Sequence, residues 1–233
     1  MASRFILCSF TTCPWVQRAA IVLREKQVPY EINYIDPDNR PDWFLAISPH
    51  AKVPVLQIDG KVALFESNAI AEYLDETVAP RLHPEDPIVR ARNRAWTDYI
   101  GTFSSAVSNT TYADTDEQFN VNASKLLVPF GKLDEALARR GNDGPFFNGP
   151  KLSLVDAAYA PFLQRYTFMD RLRPLGIIEK FPRLSAWRDA LIAAPAVKAS
   201  TVPEIEAAWH QNLIRRKRWL MKYVPERAAS AVG

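Results

Sequence analysis

Apolar and polar positions follow two different rhythms along the chain, and the change falls near residue 80. RFILCSF (4–10) is a short continuous apolar run, as expected of a strand buried on both faces. From Pro14 the period lengthens. Val16, Ala19 or Ala20, and Leu23 recur at helical spacing, with Arg18, Arg24, Glu25 and Lys26 between them. PYEINYID (29–36) predicts a second strand and PDWFLAIS (41–48) a short helix or turn. VPVLQID and KVALFES flank Asp59-Gly60, a dipeptide that closes hairpins because both positions tolerate positive φ. Ser67 then caps a helix, NAIAEYLDET, with Ile70 and Leu74 on one face. The predicted order is β-α-β-α-β-β-α over residues 1–78.

The following stretch, 79–87, has Pro80, Pro84 and Pro87 and no periodicity, so it reads as a linker. Beyond it, over residues 88–233, every long segment has helical spacing. Trp96, Ile100, Phe103 and Val107 recur as i, i+4, i+7, i+11 and predict a core-facing stripe. The segment 117–139 is helical but has Pro129, which predicts a kink or split. GNDGPFFNG (141–149) reads as a loop, and Ser153 with Asp156 forms an S-x-x-D box opening a helix to Met169. In that place Asp156 reads as a capping residue rather than a catalyst. Further helices are expected over 183–194 and 203–222. The fold class is an α/β domain followed by an all-α one.

Composition narrows the function more than the fold. A formal charge of +3, from 29 basic and 26 acidic residues, is too balanced for a dedicated nucleic-acid binder. RRKRW (215–219) reads as a solvated basic helix face. No stretch reaches the ~18 apolar residues of a membrane span, and the first residues lack the pattern of a signal peptide. His50, His83 and His210 have no metal-ligand spacing, and no glycine-rich phosphate loop occurs. Two cysteines five positions apart, Cys8 and Cys13, make no disulfide framework, so a reducing cytoplasm is the expected setting.

Cys13 is the distinctive residue. It stands in TTCPWVQR (11–18), directly before a proline suited to the first helical position. Unpaired N–H groups and a partial positive charge at a helix start favour a thiolate, the nucleophilic form of cysteine. This predicts a Cys13 pKa below about 7, aided by Arg18 if its side chain folds back over the first turn; an indifferent N-cap is the plain alternative. Val16 occupies the place of a resolving cysteine in a C-x-x-C pair, and Cys8 falls where a strand should bury it. Cys13 therefore needs an external thiol to complete a redox cycle.

Four motifs in order resemble the cytosolic glutathione transferases over nearly the whole chain: TTCPWVQR, AKVPVL (51–56), FESNAIAEYL (65–74) and GPFFNGPKLSLVDAAYAP (144–161). The first is similar to the active-site motif of the cysteine-type members, the omega, lambda and related classes. The resemblance implies a thioredoxin-like N-terminal domain, a C-terminal helical bundle, a homodimer, and glutathione as co-substrate without a metal. It implies catalysis by Cys13 and a cis bond before Pro54. By the same resemblance the Val53 backbone pairs with the cysteinyl unit of glutathione. Glu66 meets the ammonium, Ser67 the α-carboxylate, and Lys52 the glycine carboxylate; a solvated carboxylate, a simple N-cap and a surface charge are the respective plain readings. His50 is close by and needs be no more than a turn residue. Pro14, Trp15, Tyr99, Tyr112, Tyr166 and Trp209 are expected around an acceptor pocket, although aromatics at helical spacing are usually core.

The implied activity is glutathione-dependent thiol transfer or reduction. Two alternatives stay open. One is conjugation or ether cleavage, with a hydroxyl such as Thr11 or Thr12 activating glutathione; the other is a non-catalytic binding module. Cys-Pro-Trp also resembles the glutathionyl-hydroquinone reductases, which carry substantial extensions.

Overall fold

The computed structural model describes residues 4–225. A four-stranded sheet has the order β2-β1-β3-β4, from β1 (Phe5–Ser9), β2 (Tyr30–Tyr34), β3 (Val55–Ile58) and β4 (Val62–Phe65). β1 pairs parallel to β2 and antiparallel to β3, which pairs antiparallel to β4. Leu7 sits between Ile32 and Leu56, and Cys8 between Asn33 and Val55. Cys8 is fully buried, as expected of a central strand. Asp59 and Gly60, with φ of 53° and 66°, close the β3–β4 hairpin where the sequence placed it.

α1 (Pro14–Glu25), α2 (Asp42–Ile47) and α3 (Ser67–Thr77) complete the predicted β-α-β-α-β-β-α order. Every residue of α1 from Val16 to Leu23 is buried, the signature of a helix with neighbours on all sides. It packs against β1, α3 and α7 (Leu154–Leu172). Gln17 and Arg18 are thus polar residues enclosed in protein. Lys26, at the end of α1, is buried as well. Its ammonium meets Asp75 at 3.0 Å and donates to the carbonyls of Val78 and Pro80. Asp75 also accepts from the Leu82 and His83 N–H groups, so one buried ion pair fastens the proline-rich stretch after α3.

The helices that follow are α4 (Pro87–Thr111), α5 (Asp116–Lys125), α6 (Leu127–Ala138), α7, α8 (Pro182–Ala193), α9 (Pro195–Lys198) and α10 (Ile205–Arg215), with short 3-10 turns at Ile178–Lys180 and Trp219–Tyr223. Asp86 caps α4 by accepting from the Ile88 and Val89 N–H groups. The 117–139 segment is split, but at Leu126; Pro129 sits in the first turn of α6, where its missing N–H costs little. The helix expected over 203–222 ends at Arg215 instead. Lys217 takes φ 52°, and the chain resumes as a 3-10 turn.

The Ser153/Asp156 box opens α7 and reaches further than the local motif. Asp156, fully buried, accepts from the Ser153 N–H and hydroxyl at 2.8 and 2.6 Å. It also accepts from the Phe147 N–H at 2.9 Å and from the Trp187 indole at 2.7 Å. One carboxylate thereby joins the 141–149 loop, α7 and α8. Around it, Phe103, Phe130, Tyr159 and Trp187 form a chain of ring contacts 5.2–5.5 Å apart.

Candidate active site

Cys13 is the N-cap of α1, extended at φ −72° and ψ 116°, and its side chain makes no capping hydrogen bond. The thiol is therefore left for other work. The turn beneath it is held by its own N–H on the Phe10 carbonyl at 3.1 Å. Burial pushes the Cys13 thiol above its ordinary value, against the Val16 and Trp15 N–H groups and the Arg165 charge, which pull it down. The expected pKa below 7 is thus reversed in direction: the helix start does favour the anion, but desolvation outweighs it.

The cation beside Cys13 is also not the one expected. Arg18 turns away and donates to Asn68 at the start of α3. Arg165 of α7 takes the place instead. It donates to the Gln17 and Gln164 side-chain oxygens at 2.8 and 2.5 Å and to the Thr12 carbonyl at 3.2 Å. Gln17 in turn donates to Gln164 and Ser200. Thr12 is further held by Asn212 of α10, which donates to its hydroxyl oxygen at 3.3 Å. The cysteine loop is thus clamped from the helical half of the molecule.

Two cavities flank the first turn of α1, and Trp15 lines both. The smaller, about 430 Å³, brings together Lys52, Val53, Pro54, Glu66 and Ser67, with His50 beside them. The Val53–Pro54 bond is cis. Ser48 fixes this loop, its hydroxyl donating to the Lys52 carbonyl and accepting from the Lys52 N–H. Glu66 holds φ 66° and ψ 121° directly before α3, a conformation that costs a non-glycine residue about 1–3 kcal/mol and concentrates at functional sites. Ser67 is buried at the helix start behind it. Sequence reasoning missed Arg18, Asn68 and Asp98, which line the same cavity. Asn68 links the other two, accepting from Arg18 and donating to Asp98 at 3.3 Å. Its place within FESNAIAEYL was the available signal; Asp98, on α4, had none.

The larger cavity, about 640 Å³, is lined by Cys13, Pro14, Trp15, Tyr112 and Trp209 of the expected residues, with Phe162 and Arg165 added from α7. Trp15 packs edge-on to Phe162 at 4.8 Å. Burial raises the Tyr112 hydroxyl pKa, while Arg216 and Arg165 oppose the shift. Tyr99 and Tyr166 are corrections. Tyr166 is fully buried against Phe130 of α6 at 5.0 Å. Tyr99 packs on Trp96 beneath the Lys132 ammonium, on the α6 side of α4. Both belong to helix packing and neither lines the cleft. Arg215 and Arg216, expected on a solvated face, do line it. Among the described residues no group of three or more His, Cys, Asp or Glu side chains could hold a metal ion, and no helix is long and apolar enough to cross a membrane.

Residues 12–77 match the family model for the glutathione S-transferase N-terminal domain, and residues 126–190 match the model for its C-terminal domain. The chain is 30% identical over 192 residues to glutathione S-transferase omega-1 of Rattus norvegicus, covering 82% of this chain and 78% of that one. It is 36% identical over 182 residues to glutathione S-transferase L1 of Arabidopsis thaliana, covering 76% and 73%. Among solved structures it superposes on rice GST1 (OsGSTU1) in complex with glutathione with a TM-score of 0.78 at 25% identity, covering 94% of this chain and 99% of that one. With both domain models matched in order and its α/β and helical halves arranged as in that structure, the chain belongs to the glutathione S-transferase family.

Proposed function

We propose that this glutathione transferase is a thiol transferase in which Cys13 carries glutathione as a mixed disulfide. The observation that carries the reading is the seat of Cys13. It is an N-cap thiol not spent on capping, on the wall of the larger cavity and two residues from the tryptophan shared with the smaller one. The chain's other cysteine, Cys8, is sealed inside the sheet. Of the two hydroxyls that conjugating chemistry could use, Thr11 and Thr12, the second accepts from Asn212, while Arg165 binds the Thr12 carbonyl.

The smaller cavity suits glutathione group by group. The Glu66 carboxylate would pair with the α-ammonium, and the Ser67 hydroxyl with the first N–H groups of α3 would take the α-carboxylate. The Val53 backbone would pair with the cysteinyl unit, and Lys52 would meet the glycine carboxylate. In the reaction the Cys13 thiolate attacks the glutathionyl sulfur of a mixed disulfide. The substrate's sulfur leaves as a thiolate, and Cys13 becomes glutathionylated. A glutathione thiolate then attacks that bond, giving oxidised glutathione and restoring the Cys13 thiolate. Arg165 acts on the reacting sulfur electrostatically and fixes the Thr12 carbonyl next to it. A homodimer is the proposed assembly.

Turnover with glutathione on hydroxyethyl disulfide, dehydroascorbate, a glutathionyl ketone and a chloronitrobenzene tests the reading. The first three should be consumed by the native protein and not by Cys13→Ser, with little conjugation of the fourth. Conjugation that survives Cys13→Ser, without disulfide reduction by the native protein, would transfer the assignment to hydroxyl-activated chemistry.

A further inference from the structure

The larger cavity has a one-sided charge. Among the described residues its ionic lining is Arg165, Arg215 and Arg216, and no Asp or Glu side chain faces it. Arg165 is 5% exposed, and all three of its hydrogen-bond acceptors are neutral: two amide oxygens and a backbone carbonyl. Its Nε, buried, has no acceptor at all. A guanidinium in that position retains its charge and a donor with no group to satisfy it. Arg216 lies over the Tyr112 ring at 5.4 Å and donates to the Asn212 side-chain oxygen at 3.0 Å, again a neutral partner. Arg215 is paired with Asp38, a residue of the exposed rim. The remaining wall sets the rings of Phe10, Trp15, Phe162 and Tyr112 among small uncharged polar side chains such as Ser108 and Thr111.

A ring-lined cavity with two cations that no carboxylate neutralises is complementary to a planar anion. We infer that the larger cavity selects aromatic acids: an aryl body between the rings and a carboxylate toward Arg216 and Arg165. This deepens the thiol-transfer reading and rests on it for the chemistry. The substrate would be a mixed disulfide between glutathione and an arenethiol that carries the carboxylate. Cys13 thiolate attacks the glutathionyl sulfur, the S–S bond breaks, and the arenethiolate leaves with the electron pair. Glutathione then releases the Cys13-bound glutathionyl group as oxidised glutathione. An arenethiolate is a good leaving group because its conjugate thiol has a low pKa.

Two measurements on the full chain test this, and only one depends on turnover. The first compares the alkylation rates of Cys13 by iodoacetate and by iodoacetamide. The ratio of the anionic to the neutral reagent should exceed that of free glutathione by about tenfold, and should fall towards it in Arg216→Gln and in about 0.5 M salt. The second compares glutathione mixed disulfides of 4-mercaptobenzoate and 4-mercaptobenzamide. kcat/KM should favour the acid by about tenfold, with most of the preference lost through KM in Arg216→Gln. An alkylation ratio equal to that of free glutathione, together with equal turnover of acid and amide, overturns the inference and leaves thiol transfer standing. A biased alkylation ratio with neither disulfide consumed supports the anion-selective cavity and removes the thiol-transfer reading.

Discussion

Replacing Asp156 separates a structural carboxylate from a catalytic one. Its two oxygens accept from three buried N–H groups, those of Phe147, Ser153 and the Trp187 indole, and from the Ser153 hydroxyl. Asp156→Ala leaves the three N–H donors unpaired. Each orphaned buried donor costs about 1–3 kcal/mol. The native carboxylate gives part of this back, because burial raises its pKa and penalises its charged form. A net loss of about 3–5 kcal/mol follows, and at about 2–4 °C per kcal/mol for a chain of this size Tm should fall by roughly 6–20 °C. Asp156→Asn keeps one oxygen for Phe147 and Trp187 but turns an NH2 group toward the Ser153 N–H. One orphan donor costs about 1–3 kcal/mol, so the Asn variant should lie between native and Ala. Thermal unfolding by circular dichroism reads both values, and thiol-transfer turnover at 25 °C, scaled to the folded fraction, should stay near native. A melting temperature unchanged in Asp156→Ala would refute the hydrogen-bond accounting. A folded Ala variant without turnover would make Asp156 part of the chemistry.

Three further outcomes are expected. Cys8→Ser should retain thiol-transfer activity within about twofold, since a buried thiol in the centre of the sheet reaches no substrate; losses equal to those of Cys13→Ser would point to a Cys8–Cys13 redox pair. Glu66→Ala and Ser67→Ala should each weaken glutathione binding by about one to two decades in calorimetric titration, the worth of a charge-assisted hydrogen bond at about 1.5–3 kcal/mol. Unchanged affinity in both would remove them from the binding site. Because burial holds the Cys13 thiol above its ordinary value, the thiolate fraction, and with it kcat/KM, should climb with rising pH through and beyond about 8.5. Arg165→Gln should move that limb to higher pH and Arg165→Lys much less; a native plateau already reached at pH 6 would contradict the dominance of desolvation.

Local chemistry was the legible part of this sequence. Cys13-Pro14 marked a helix start, Asp59-Gly60 a hairpin and Ser153 with Asp156 a capping box, because each signal is complete within a few residues. The residues expected to bind glutathione were legible only through the family resemblance: AKVPVL and FESNAIAEYL supply Lys52, Val53, Pro54, Glu66 and Ser67, and these five line one cavity. The other cavity was only partly readable, because its walls are chosen by helix rotation. Phe162 and Tyr166 stand one turn apart on α7, yet the first lines the cleft and the second packs on α6. Arginines misled in both directions. Arg18, expected to fold back over Cys13, is enclosed with α3 instead, and Arg165, which drew no reading, is buried beside the cysteine loop, whereas Arg215 and Arg216, read as a solvated face, line the larger cavity. An arginine's burial depends on partners up to 153 residues away, as Thr12 is from Arg165, and no local pattern carries that information.

The account depends most on the covalent step at Cys13. Incubating the native protein with oxidised glutathione and digesting it at low pH, which stops exchange, should give one glutathionyl adduct by mass spectrometry, on the peptide containing Cys13. Adding reduced glutathione should discharge the adduct and regenerate oxidised glutathione in equal amount, and Cys13→Ser should form none. An unmodified Cys13 peptide, or a Cys8–Cys13 disulfide in place of the adduct, would contradict the monothiol mechanism.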